Sequence, residues 1–137
     1  MPPMSSSHES HKRAFITGAA SGLGRELALR FARAGYRICV ADIHEARANA
    51  VVDEIKDLGQ DAFFYHCDVS RDQDLLLAAT TMKERWGGTD VLINNAGVAG
   101  GGPFDWLTLA DWHWMMNINF NGVLRGCHAF VPAMKEQ

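Results

Sequence analysis

Along residues 14–93, short apolar runs alternate with longer stretches in which apolar residues recur every three or four positions. A short run bounded by turn residues suits a strand covered on both faces, whereas the three-to-four spacing suits an amphipathic helix. Residues 14–17 (AFIT) predict a first strand stopped at Gly18. From Leu23 the period lengthens, and Leu23, Leu27, Phe31 and Ala34 fall on one helical face before a stop at Gly35. Residues 37–41 (RICVA) predict a second strand ending at Asp42, and Ala48, Val51, Val52, Ile55 and Leu58 the stripe of a second helix stopped at Gly59. Residues 62–67 (AFFYHC) predict a third strand ending at Asp68. Ser70 and Gln73 have the spacing of a capping box, and Leu75, Ala79, Met82 and Trp86 mark a third helix closed by Gly87-Gly88. Residues 91–93 predict a fourth strand.

This β-α-β-α-β-α-β order predicts an α/β fold: a doubly wound parallel sheet of Rossmann type, with helices on both faces and right-handed crossovers. No internal repeat or linker marks a second domain, so residues 13–137 are expected to form one domain behind a disordered tail at 1–12. The pattern then changes. Gly100-Gly101-Gly102-Pro103 predicts a flexible turn, Thr108 with Asp111 a second capping box, and one long helical region from there to about Met134. Between Phe120 and Met134 apolar residues wrap more than one face, so that region expects cover from the sheet and from something further. The expected domain is therefore incomplete, ending after the fourth strand and this helix, with an open sheet edge and an uncovered apolar face.

Composition narrows the classes. A chain of 137 residues can bury a core, and 47% hydrophobic with 21% charged residues is ordinary soluble usage. A net charge of -3 offers no attractive field for nucleic acid or an anionic membrane. No apolar stretch has the length to span a bilayer, and residues 1–12, rich in Pro, Ser and His, lack the apolar segment of a secretory signal. Cys39, Cys67 and Cys127 form no C-x-x-C pair and are odd in number, which argues against a disulfide framework. The expectation is a cytoplasmic protein without a metal site, with His8 and His11 in the polar tail.

Chemistry enters at residues 17–24, TGAASGLG. Gly18, Gly22 and Gly24 stand between a strand and a helix. There a pyrophosphate can approach backbone N–H groups only if no Cβ intervenes, and the helix dipole favours the anion. Ser21 can add a hydroxyl. The other reading of such a turn is a tight strand-to-helix connection with no ligand. Asp42 ends the second strand about 20 residues later, where an acid holds the ribose hydroxyls of a dinucleotide and repels the 2′-phosphate of NADP. Ala19, Ala20 and Ser21 supply no cation and Ile43 follows the acid, so NAD is favoured over NADP, although Arg47 could soften the repulsion. An acid after a strand could also be a simple surface residue.

The spacing G-x-x-x-G-x-G resembles the short-chain dehydrogenase/reductase family, whose T-G-x-x-x-G-x-G pattern matches Thr17 to Gly24 throughout. Asn94-Asn95-Ala96-Gly97 after the fourth strand resembles that family's N-N-A-G tetrapeptide, and Asn119, Gly122 and Val123 its N-x-x-G-V. The resemblance implies a hydride-transferring oxidoreductase acting on a small alcohol or carbonyl compound, assembled as a homodimer or homotetramer in part through the long helix. It further implies that Leu23 joins Gly18, Ser21, Gly22 and Gly24 at the cofactor phosphates. Asp42 and Ile43 would meet the adenosine ribose, Asp68 and Val69 the adenine, and Asn95, Ala96 and Gly97 the nicotinamide ribose. Asn119 would belong to the catalytic group, distorting its helix so that a freed carbonyl holds a water. Trp112 and Trp114 are expected to be core or interface bulk, and Asn117 and Asn121 solvated or packing residues.

The family's catalytic serine and Tyr-x-x-x-Lys pair are not matched. The two tyrosines, Tyr36 and Tyr65, are followed four residues later by Val40 and Val69. This chain alone is therefore expected not to turn over. The alternatives are a noncatalytic NAD-binding module and an inert fragment.

Overall fold

The computed structural model describes residues 12–137, so His8, His11 and nearly all of the expected tail lie outside the described residues. β1 (Arg13–Thr17), α1 (Gly22–Arg33), β2 (Arg37–Asp42), α2 (Glu45–Asp57), β3 (Ala62–His66), α3 (Asp72–Trp86) and β4 (Val91–Ile93) alternate as expected. A single 3-10 turn (Phe104–Trp106), α4 (Leu109–Asn119) and α5 (Asn121–Lys135) follow. All strand pairs are parallel, in the order β3-β2-β1-β4. The chain thus steps outward from β1 to β3 and returns to the other flank of β1 as β4. That reversal opens a crevice beyond the carboxyl ends of β1 and β4.

Pleating sends successive side chains to opposite faces, and here each face has its own helices. Ala14 and Ile16 of β1, Ile38 and Val40 of β2 and Ala62 of β3 pack with Ala28, Ala32, Val51 and Ile55 of α1 and α2. Phe15, Cys39, Ala41 and Phe63, one residue out of step, pack with Leu75, Ala78 and Met82 of α3 and Phe130 of α5. The runs are continuous because both parities are buried. Phe130 is the anchor of α5: it is 2% exposed, with its ring centroid 4.7 Å from that of Phe15. Burial of a side chain this size contributes about 1.5–3 kcal/mol.

Several local expectations need correction. The buried row of α1 is Gly24, Ala28, Leu29 and Ala32, with Leu27 and Phe31 at its margin. Leu23 is 68% exposed and Ala34 is also exposed, because α1 begins at Gly22 and small residues four apart let it approach the sheet closely. Leu58 lies one residue past the end of α2 and is 46% exposed. The Ser70–Gln73 box does not form. The Ser70 hydroxyl donates to Asp68 instead, and the N-cap of α3 falls on Arg71. The Thr108–Asp111 box does form. The long helix is two helices, divided at Phe120, whose N–H closes α4 on Met116 and whose carbonyl accepts the first bond of α5 from Leu124. Trp112 is half-buried against Phe104, and Trp114 is 49% exposed, so neither belongs to the buried core.

Candidate dinucleotide cleft

The carboxyl ends of all four strands converge on a cleft of about 340 Å³. Gly18 and Ser21 follow β1; Asp42, Ile43 and His44 end or follow β2; Cys67, Asp68 and Val69 follow β3. Residues 95–98 follow β4, and Ile118 reaches in from α4. Nine of the residues singled out from sequence line it: Gly18, Ser21, Asp42, Ile43, Asp68, Val69, Asn95, Ala96 and Gly97. Gly22, Leu23 and Gly24 form the first turn of α1 and are not among the lining residues. His44, Cys67, Val98 and Ile118 also line it and were not singled out. Each is a chain neighbour of a motif residue, and that adjacency was the available signal.

The glycine turn owes its shape to three different constraints. Gly18 has φ +63°, and a Cβ there would meet the Ala96 backbone at 3.0 Å. Gly22 has φ +55° but faces open space. Gly24 is ordinary helix, but a Cβ on it would collide with the carbonyl oxygen of Gly18. So Gly18 answers both a backbone and a packing requirement, Gly22 a backbone one alone and Gly24 a packing one alone. Ser21 precedes the helix without using its side chain as a cap, which leaves its exposed hydroxyl uncommitted to the helix.

Asp42 is 7% exposed, which excludes the surface-residue reading. Its Oδ2 accepts the N–H of Ala20 and its Oδ1 that of His44, each at 3.0 Å. Asp68 Oδ1 accepts both the N–H and the hydroxyl of Ser70, at 2.9 and 2.6 Å. The Ser70 hydroxyl bond holds the Asp68 carboxyl below its ordinary range. Burial, then the carboxylates of Asp74, Asp68 and Asp42, push the Cys67 thiol up to about 12, so it stays protonated and unreactive at neutral pH.

The segment after β4 is fastened to β1 and α4. Thr17, 2% exposed, accepts the N–H groups of Asn95 and Ala96 through Oγ1, both at 3.0 Å. Asn95 Nδ2 returns bonds to the carbonyls of Thr17 and Gly18, at 3.1 and 3.2 Å. The expectation that these Asn side chains tie the central strands is thus realised by Asn95, while Asn94 Nδ2 donates to Cys127 on α5. Asn119 pairs with the main chain of Val98, accepting its N–H at 2.8 Å and donating to its carbonyl at 2.7 Å. This last residue of α4 directly precedes the break at Phe120. Among the described residues, no cluster of three or more His, Cys, Asp or Glu side chains could hold a metal ion. None of the described helices is long and apolar enough to cross a membrane.

A parallel sheet reversed at β1 and β4, with a glycine turn, a buried acid after β2 and an Asn-rich turn after β4, is a doubly wound α/β domain of Rossmann type. The short chain dehydrogenase family model matches residues 12–137, and the chain belongs to that family of oxidoreductases. It is 39% identical over 125 residues to a 7alpha-hydroxysteroid dehydrogenase of Escherichia coli, covering 91% of this chain and 49% of that protein. A short chain dehydrogenase/reductase from Burkholderia phymatum, solved in complex with NAD, matches with a TM-score of 0.86 and 35% identity. The match covers 90% of this chain and 44% of that one. A metagenomic short-chain oxidoreductase in complex with NADP matches with a TM-score of 0.86 and 32% identity, over 90% of this chain and 57% of that one. The chain spans about half the length of the curated relatives it matches.

Proposed function

We propose that the protein carrying this chain is a nicotinamide-dependent oxidoreductase moving hydride between the cofactor and an alcohol or carbonyl carbon of a small molecule. NAD is the preferred cofactor, and this chain is the part that holds it. The observation that carries the reading is the Asp42 carboxylate, oriented by two backbone N–H groups on the wall of a cleft that Gly18 and Ser21 also line. The residues suit such a group. Gly18 and Gly22 adopt left-handed conformations beside a helix start, and the Ser21 hydroxyl is uncommitted. Asp42 presents negative charge where a 2′-phosphate would otherwise be received, and positions 19–21 hold no cation. Asp68 and Val69 would face the adenine, and residues 95–97 the nicotinamide ribose. When bound, the nicotinamide gives or takes the hydride.

Asn119 is this chain's member of the catalytic group in the proposal. The proton-transferring tyrosine and its lysine are assigned to a part of the protein other than residues 1–137, in which Tyr-x-x-x-Lys does not occur. Burial raises the phenol of Tyr65, against what proton transfer near neutral pH requires. The alternative is a noncatalytic module for which NAD is a regulatory ligand, and turnover by the full-length protein separates the two. A homodimer or homotetramer through α4 and α5 belongs to the first reading, supported by exposed Phe120 and Leu124 at 60% and 58%. So does a cytoplasmic location, supported by three free cysteines.

The test pairs binding with turnover. NAD and NADP are titrated against residues 1–137, and the full-length protein is assayed for NAD reduction with a panel of secondary alcohols. Tighter binding of NAD and turnover by the full-length protein alone are expected, and Gly18→Val should abolish binding. Binding without turnover by the full-length protein would select the regulatory module, and failure of the full-length protein to bind either dinucleotide would reject both readings.

A further inference from the structure

Arg125 on α5 engages two separate segments, residues 69–72 and Asn117 of α4. Its Nη1 donates to the carbonyls of Val69 and Asn117, both at 2.9 Å, and its Nη2 to Oδ1 of Asn117 at 2.6 Å. Its Nε donates to Oδ1 of Asp72 at 2.6 Å. The Arg125 side chain is 18% exposed, whereas that of Asp72 is 79% exposed, so the ion pair is the solvent-weakened member of the set. The bonds to Val69 and Asn117 are the sheltered ones.

One of those acceptors lies in the cleft wall and the other is the chain neighbour of a wall residue. Val69 is part of its wall, and a Cβ at Gly122, one turn before Arg125, would meet the Val69 side chain at 3.0 Å. α5 therefore holds Val69 twice, by bare-backbone contact on its side chain and by the guanidinium on its carbonyl. Asn117 precedes Ile118, another wall residue, and Asn119, which pins Val98. A planar fork with fixed donor directions can hold Val69 and Asn117 in one relative geometry, which a flexible ammonium does not do.

We propose that Arg125 is a positioning residue of the cleft: by locking Val69 to the α4–α5 junction, it sets how selectively the cleft accepts an adenine base. This rests on the dinucleotide reading. Arg125 itself touches no ligand and acts through Val69.

The test compares NAD with nicotinamide hypoxanthine dinucleotide, in which a carbonyl replaces the adenine amine, by titration against the full-length protein. The unsubstituted protein should prefer NAD. Arg125→Met should weaken NAD about tenfold and bring the ratio of the two affinities toward one, with Arg125→Lys intermediate. Asp72→Asn, which removes only the exposed ion pair, should leave the ratio unchanged. A merely structural role would lower the melting temperature and both affinities together without moving the ratio. An unchanged ratio in both Arg125 variants, or a ratio lost equally in Asp72→Asn, would overturn this inference alone. Failure of the unsubstituted protein to bind either dinucleotide would overturn the dinucleotide reading and this inference with it.

Discussion

The backbone N–H of Ala20 donates to Oδ2 of Asp42 at 3.0 Å, joining the glycine turn to the end of β2. With His44 on Oδ1, both carboxylate oxygens are oriented by the protein itself. Asp42→Asn keeps the size but turns an NH2 toward one of the two N–H groups. Hydrogen bonds to a charged group contribute about 1.5–3 kcal/mol, so NAD affinity should fall roughly 10- to 100-fold. NADP, relieved of the charge, should lose less, and the preference should narrow. Parallel titration of both cofactors checks this; an unchanged preference would sink the ribose assignment.

Thr17 stands at the meeting of β1 and the turn after β4. Thr17→Val keeps the shape and removes the acceptor for two N–H groups, those of Asn95 and Ala96. Each donor left unpaired in a buried place costs about 1–3 kcal/mol. A loss of about 2–6 kcal/mol in denaturant unfolding is expected for Val, and well under half of that for Thr17→Ser. Equal stability of Thr17→Val and the parent would show that the turn is held by other bonds.

Two glycines of one motif should respond differently to a methyl group. Gly24→Ala drives a Cβ onto the Gly18 carbonyl, and overpacking of this kind costs about 1–3 kcal/mol or more. Gly22→Ala meets no atom within 4 Å and has only the left-handed backbone to oppose it, about 1–2 kcal/mol. Thermal melting of the two variants should rank Gly24→Ala as the less stable. The reverse order would mean that α1 can move away from the sheet.

Acid should loosen the start of β1. The Arg13 guanidinium, bonded to both Asp90 carboxylate oxygens, holds that carboxyl below its usual range. A depressed carboxyl stabilises the fold above its unfolded pKa of about 3.9, and that contribution is lost as pH falls through the lower folded value. The stability gap between the parent and Asp90→Asn should therefore be full at pH 6 and close below about pH 4. A gap that does not shrink at all as pH falls below about 4 would show that Asp90 acts by packing.

Periodicity alone made the four strands and three helices of the first 93 residues legible, because two-sided burial leaves continuous apolar runs and helix contact leaves a repeat of three to four. Motif spacing likewise located nine wall residues of the cleft, since strand ends and turns keep those residues close in sequence to recognisable glycines, acids and asparagines. Other features lay outside its reach. The choice of Ala28 over Leu23 as a buried position depends on where α1 starts relative to the sheet. The break at Phe120 falls where Asn119 is paired with Val98 and Asn117 is bonded by Arg125, contacts spanning 21 and 8 residues. Ser70 lost its expected cap role to a local competitor, the Asp68 carboxylate two residues away, which the capping-box spacing does not rank. Local pattern determines the elements because hydrogen bonding and face burial repeat along the chain. Tertiary structure decides helix breaks and cleft walls because those depend on which distant polar group arrives to take a given donor or acceptor.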